Sequence, residues 1–115
     1  MRVTGKKILA KLKLKQRGNS RLLNEIDLLI HDLESNEFTS FEDLKKVRID
    51  ADKVHNEGFY FFNIHIHRTL ILMEMNKTGE ATIVWAGSHQ EYEELFRNNK
   101  GTISKWLKQN GWIAS

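Results

Sequence analysis

Three runs of aromatic and β-branched residues crowd into the stretch between Phe59 and Trp85, and they limit what the chain can become more than any other feature. Phe59–Ile64, Arg68–Met75 and Ala81–Trp85 each have strand length and the residue types that suit a pleated, half-buried surface. Asn76-Lys77-Thr78-Gly79-Glu80 separates the last two as a glycine-containing hairpin loop. Three antiparallel strands are therefore expected. The segments before them carry a helical period instead. Lys6–Lys15 places Ile8, Leu9 and Leu12 among lysines, and Gly18-Asn19-Ser20 ends it. Leu22, Ile26, Leu29 and Leu33 then line one face of a second helix. Helices gathered first and strands afterwards predict an α+β layer arrangement rather than alternating βαβ units.

Smaller elements complete the expectation. Arg2-Val3-Thr4 is a candidate short strand, and Ser40-Phe41-Glu42-Asp43 opens a brief helix through Lys46 with acids in its first turn. Asp50 to Gly58 is polar and aperiodic, which predicts a connection. His89–Phe96 and Thr102–Gln109 carry helical spacing, with Thr102 as N-cap and Gly111 beyond the end of the second. With 115 residues, 40% of them hydrophobic, the chain suits one domain over residues 1–115. It has no cysteine, so disulfides and thiolate metal sites are excluded, and no apolar window long enough for a membrane span. A cytoplasmic protein is the expectation.

Charge is distributed unevenly. Residues 1–21 carry eight basic side chains, Lys6 and Lys7 among them, and no acid, whereas residues 22–94 hold all fifteen acids against six bases. Residues 95–115 add Arg97, Lys100, Lys105 and Lys108 without an acid, for a net charge of +3. Basic ends around an acidic middle suit a polyanion lying across both termini. A solvated lysine-rich helix gives the same pattern with no ligand.

Three groups of residues can carry chemistry. His65-Ile66-His67-Arg68 sets potentially cationic side chains at a strand junction, and His65 with His67 and His89 supplies three nitrogens for zinc, or groups that pair with phosphate or move protons. Gly87-Ser88-His89-Gln90-Glu91-Tyr92 lies where the last strand gives way to a helix, a place that presents backbone N–H groups to an anion. His89 and Tyr92, three apart, offer an imidazole and a phenol on one face, the equipment of general acid–base phosphodiester cleavage. Helix capping by His89 and core packing by Tyr92 explain the same residues without chemistry. Trp85, Trp106 and Trp112 can stack on unpaired bases or simply pack.

The order Ser40-Phe41-Glu42-Asp43-Leu44-Lys45, Phe61-Phe62-Asn63-Ile64, Arg68-Thr69-Leu70-Ile71 and Gly87-Ser88-His89-Gln90-Glu91-Tyr92 resembles the HigB toxins of the RelE/ParE superfamily. The resemblance runs from about Arg2 to Leu95. It implies two N-terminal helices packed on a curved antiparallel sheet of three to four strands, with a C-terminal helical segment, residues 100–115, extending past the usual family end. It also implies a toxin that cuts messenger RNA on the ribosome without a metal or other cofactor, silenced by a helix-turn-helix, HigA-like antitoxin. On this resemblance Arg68 holds the scissile phosphate, His89 acts as acid or base, and Tyr92 orients or transfers a proton. Several family members carry an arginine late in the last strand, where this chain has Val84, Trp85 and Ala86. His65, His67 and Lys100 are the candidates to replace it, with Lys6, Lys7 and Trp85 as further RNA contacts. A member of the same superfamily that acts on gyrase, or only binds a protein, is the alternative.

Overall fold

Gly5 decides how the chain begins. It links a strand, β1 (Arg2–Thr4), to a helix, α1 (Lys6–Lys15), at φ +76, and a Cβ there would lie 2.5 Å from the Ile83 carbonyl oxygen. Only glycine can turn so close to another strand. Asn19 then caps α2 (Ser20–Glu34) by accepting a hydrogen bond from the Leu22 N–H, and the expected stripe of Leu22, Ile26, Leu29 and Leu33 is fully buried. Ser40 caps α3 (Phe41–Val47) through the Asp43 N–H, as its sequence predicts.

A computed structural model describes residues 1–75 and 79–114; Asn76, Lys77 and Thr78 of the expected hairpin loop lie outside them. The described strands are β1, β2 (Asp52–His55), β3 (Phe59–Ile64), β4 (His67–Glu74) and β5 (Glu80–Ser88), in the order β1-β5-β4-β3-β2. The last four pair antiparallel, but β1 runs parallel to β5. The sheet is thus mixed and five-stranded, not antiparallel with three to four strands. Both added strands sit at edges. β2 buries only Val54 and is interrupted by a bulge after Lys53, so its four residues offer no alternation to read. β1 has three residues, already a candidate strand from sequence, and finds its partner about two thirds of the chain away, Arg2 opposite Glu80.

The sheet is covered on both faces, which is why Phe59-Tyr60-Phe61-Phe62 is apolar without a break. Tyr60, Phe62, Ile71, Met73 and Ile83 face the three N-terminal helices, whereas Phe59, Phe61, Leu70 and Val84 face α4 (His89–Phe96) and α5 (Lys100–Gln109). Ile103, Leu107 and Ile113 of the C-terminal segment are buried in that second core, so the segment covers the sheet. Asn99, not Thr102, caps α5, accepting from the Thr102 N–H. Leu70 pairs with Trp85 and Ile71 with Ile83, leaving Val84 as a bulge that turns both Val84 and Trp85 toward α4 and α5. Among the described residues no helix is long and apolar enough to cross a membrane.

Candidate active site

The β3–β4 connection is only two residues long, His65 and Ile66, with Ile64 paired to His67 across it. His65 adopts φ +60, an uncommon conformation for a side-chain-bearing residue. A carboxylate holds it there. The His65 N–H donates to Glu25 of α2, while the Ile66 carbonyl accepts from the His89 N–H at 3.1 Å. The strand junction expected at these histidines is therefore a tight turn. Its tip is fastened to two helices, and with the neighbouring strand ends it forms an open cleft of about 310 Å³ lined by Asn63, His65, Ile66, His67, Arg68 and His89.

Arg68 pairs with Asn63 on one side and Gly87 on the other. Its guanidinium carbon lies 4.4 Å from the centroid of the Tyr92 ring, a cation–π contact, and the His89 ring stacks on the same tyrosine at 5.8 Å and 23°. Ser88 positions this helix start. Its hydroxyl accepts from the Glu91 N–H while the Glu91 carboxylate accepts from the Ser88 N–H, a complete capping box. Structure thus brings Arg68, His89 and Tyr92 together, as the motif order implied.

Their environments differ. Tyr92 is 1% exposed, its ring meets Phe61 edge-on at 4.9 Å, and its hydroxyl donates to Asn98 Oδ1 at 2.9 Å. Burial pushes its phenol above the ordinary value of 10, with Arg68 pulling the other way, so the ring is neutral at physiological pH. His89 is exposed, with Nε2 3.4 Å from the Glu93 carboxylate. His67 is 5% exposed and its Nδ1 has no hydrogen-bond partner among the described residues. Burial lowers its basicity below the ordinary value of 6.5, opposed by Glu91 and reinforced by His65. A neutral His67 cannot supply a second phosphate-binding charge at neutral pH.

Asn63, exposed in an otherwise buried strand, is held from behind. Its N–H donates to Asp50, and Arg48 joins Asp50 at 2.8 Å, Asp32 at 3.2 Å and the Asn63 carbonyl at 3.0 Å. Reading the sequence missed Asn63, Glu25 and Asn98 as contributors. A polar residue amid Phe61-Phe62 and Ile64 is a signal for the first; nothing local marks the other two.

Other candidates stand elsewhere. Lys100 opens α5 beside Lys53, Val54, His55 and Asn56, away from the cleft lining. Lys6 is engaged with Glu34 at 2.7 Å, and Lys7 lies on α1 outside the cleft lining. Trp85 packs edge-on against Phe61 and Phe96, and its remaining surface borders Glu91, Glu94 and Leu95. Trp85 thus stands outside the lining of the Arg68 cleft. Trp106 likewise packs on Phe96. Among the described residues no three His, Cys, Asp or Glu side chains are placed to hold a metal ion, so His65, His67 and His89 do not assemble the zinc site considered from sequence.

A family model named HigB_toxin, described as the RelE-like toxic component of a toxin-antitoxin system, matches residues 23–95, a span that contains every residue of the Arg68 cleft. No curated protein matches the chain.

Proposed function

Because the chain belongs to the HigB toxin family, the RelE-like toxic component of toxin–antitoxin systems, we propose that it is an endoribonuclease that cuts messenger RNA on the ribosome in the cytoplasm. An antitoxin partner follows from the family, and we assign it the helix-turn-helix, HigA-like type. The observation that carries the reading is the stack of Arg68 over Tyr92 with His89 beside it at the mouth of an open cleft.

The chemistry needs no group beyond the substrate, these side chains and water. The ribose 2′-OH attacks the adjacent phosphorus, the 2′ O–P bond forms, and the P–O5′ bond breaks, leaving a 2′,3′-cyclic phosphate and a 5′-OH. One proton leaves the 2′-OH and one reaches O5′. His89, exposed at the cleft, takes one of these roles, and solvent water takes the other. Arg68 binds the non-bridging oxygens through its planar fork, where charge accumulates in the transition state. Tyr92 acts as a platform: neutral, buried and bonded to Asn98, it fixes where Arg68 and His89 stand. His65 and Asn63 line the cleft as hydrogen-bonding groups for the flanking nucleotides.

Induced expression followed by primer extension tests this reading. Wild-type protein is expected to produce discrete transcript ends bearing 5′-OH, and His89→Ala and Arg68→Ala to leave transcripts intact. An intact transcript pool with wild-type protein, accompanied by DNA damage, would instead indicate action on gyrase and sink the nuclease assignment.

A further inference from the structure

Helix α1 carries five lysines, and the structure sorts them into two sets. Lys6 and Lys13 are neutralised by α2, pairing with Glu34 and Asp27, each at 2.7 Å. Lys7, Lys11 and Lys15 follow one another at i, i+4 and i+8, which puts them on one helix face. Among the described residues none of the three has an ion-pair partner within 4 Å.

That face borders an open cleft of about 320 Å³ between α1 and the end of β5, lined by Lys11, Lys15, Gln16, Ala86, Gly87 and Glu91. Ala86 and Gly87 contribute little side chain to its strand side, and Ile8 and Leu12 complete the lining from α1. Glu91, the one acid in the lining, is already engaged in the capping box with Ser88. Its carboxyl is held below the ordinary range chiefly by the Ser88 N–H, with a smaller contribution from Lys15, which places the lysine's field at the first turn of α4. That turn also carries His89 into the Arg68 cleft. The two clefts therefore meet at the start of α4, and the positive stripe continues from the candidate cutting site.

We propose that Lys7, Lys11 and Lys15 form a track for the phosphate backbone of the single-stranded RNA that flanks the cut, an assignment that rests on the nuclease reading. Three unneutralised charges on one helix face are what a polyanion rewards, because each phosphate bound by a lysine releases condensed counterions. The same helix supplies its own control. Lys6 and Lys13 have equal charge but are already satisfied by acids.

The test uses the full chain and a fluorescent 2′-O-methyl oligonucleotide, which binds as RNA but lacks the attacking hydroxyl. Affinity is measured by anisotropy over a range of salt concentrations for wild type, Lys11→Gln/Lys15→Gln and Lys6→Gln/Lys13→Gln. Removing two phosphate contacts is expected to lower the slope of log K against log salt by about 1.4 and to weaken binding about tenfold at low salt, in the first pair only. Equal behaviour of the two pairs overturns the track. So does a Lys11→Gln/Lys15→Gln variant that binds the oligonucleotide as wild type does but no longer binds its antitoxin, since the lysines would then serve a protein partner. Transcript cleavage by wild type is followed in parallel by induction and primer extension. Should transcripts on translating ribosomes stay intact on induction of wild type while the slope still drops in the first pair alone, the nuclease reading fails and the lysines remain an RNA-binding stripe.

Discussion

The Tyr92 hydroxyl donates to Asn98 Oδ1 across 2.9 Å, so the phenol is committed to the residue that closes its own helix rather than to the cleft. Removing the hydroxyl while keeping the ring should therefore matter little to cutting. Tyr92→Phe is expected to retain transcript cleavage within about threefold and to lose about 1 kcal/mol of stability, the usual net value of one hydrogen bond. Tyr92→Ala, which deletes a fully buried ring, is expected to cost about 3–5 kcal/mol and to abolish cleavage. Thermal unfolding and primer extension on the same preparations check both. A well-folded Tyr92→Phe protein without activity would show that the phenol transfers a proton and is no mere platform.

Arg68 offers a second separation. Alanine removes both charge and stacking, whereas lysine restores charge without the planar fork that lies on Tyr92. Single-turnover cleavage of messenger RNA on programmed ribosomes is expected to fall by about 10²–10³ in Arg68→Ala, the range seen when one transition-state donor is removed. Arg68→Lys should fall between the two. Equal rates for the lysine variant and wild type would remove geometry from the explanation and leave charge alone.

His67 makes stability depend on pH. The buried imidazole resists protonation, whereas the unfolded chain takes up a proton near the ordinary value of 6.5. Below that value the unfolded state holds more protons than the folded one, so the free energy of unfolding falls as pH falls from about 6.5 toward the lowered folded-state value, and then levels. Urea denaturation at neutral and mildly acidic pH should show this decline in wild type and a flatter dependence in His67→Gln. An unchanged dependence in the variant would place the titrating group elsewhere.

Two glycines should rank in a definite order. A Cβ at Gly87 would lie 2.6 Å from the Trp85 ring, an obstacle that can shift at a cost of about 1–3 kcal/mol. A Cβ at Gly5 would meet the Ile83 carbonyl at 2.5 Å, from a backbone already at positive φ, and β5 cannot step aside. Gly5→Ala is expected to lower the unfolding midpoint more than Gly87→Ala, while only Gly87→Ala should alter Trp85 fluorescence strongly. The reverse ranking in a chemical-denaturation series would contradict this account.

Legibility of the fold from sequence followed the range of the forces involved. The α2 stripe and the Ser40 cap are set by residues within a few positions of one another, and both are found where the pattern predicts them. The short strand at Arg2–Thr4 is found where expected, but its parallel pairing with β5 has no local mark, and β2, read as a connection, is too short and irregular to carry a period. The site divides the same way. Arg68, His89 and Tyr92 were legible through motif order, yet the Glu25 carboxylate that holds the His65 turn lies forty residues away in sequence and has no local mark. The charge of Lys6 and the aromaticity of Trp85 are visible in the sequence, whereas their contacts with Glu34 and Phe96 are not.

Kinship and packing draw different boundaries on this chain. The family match stops at Leu95, one residue before Phe96, the ring that Phe61, Trp85, Tyr92 and Trp106 all touch. A protein trimmed at that point keeps Arg68, His89 and Tyr92 but loses Asn98, which holds Tyr92, and strips the lid from one side of the sheet, leaving Phe61, Leu70 and Val84 to meet water. Loss of toxicity on such trimming would report sticky, misassembled protein and say nothing about which residues touch RNA.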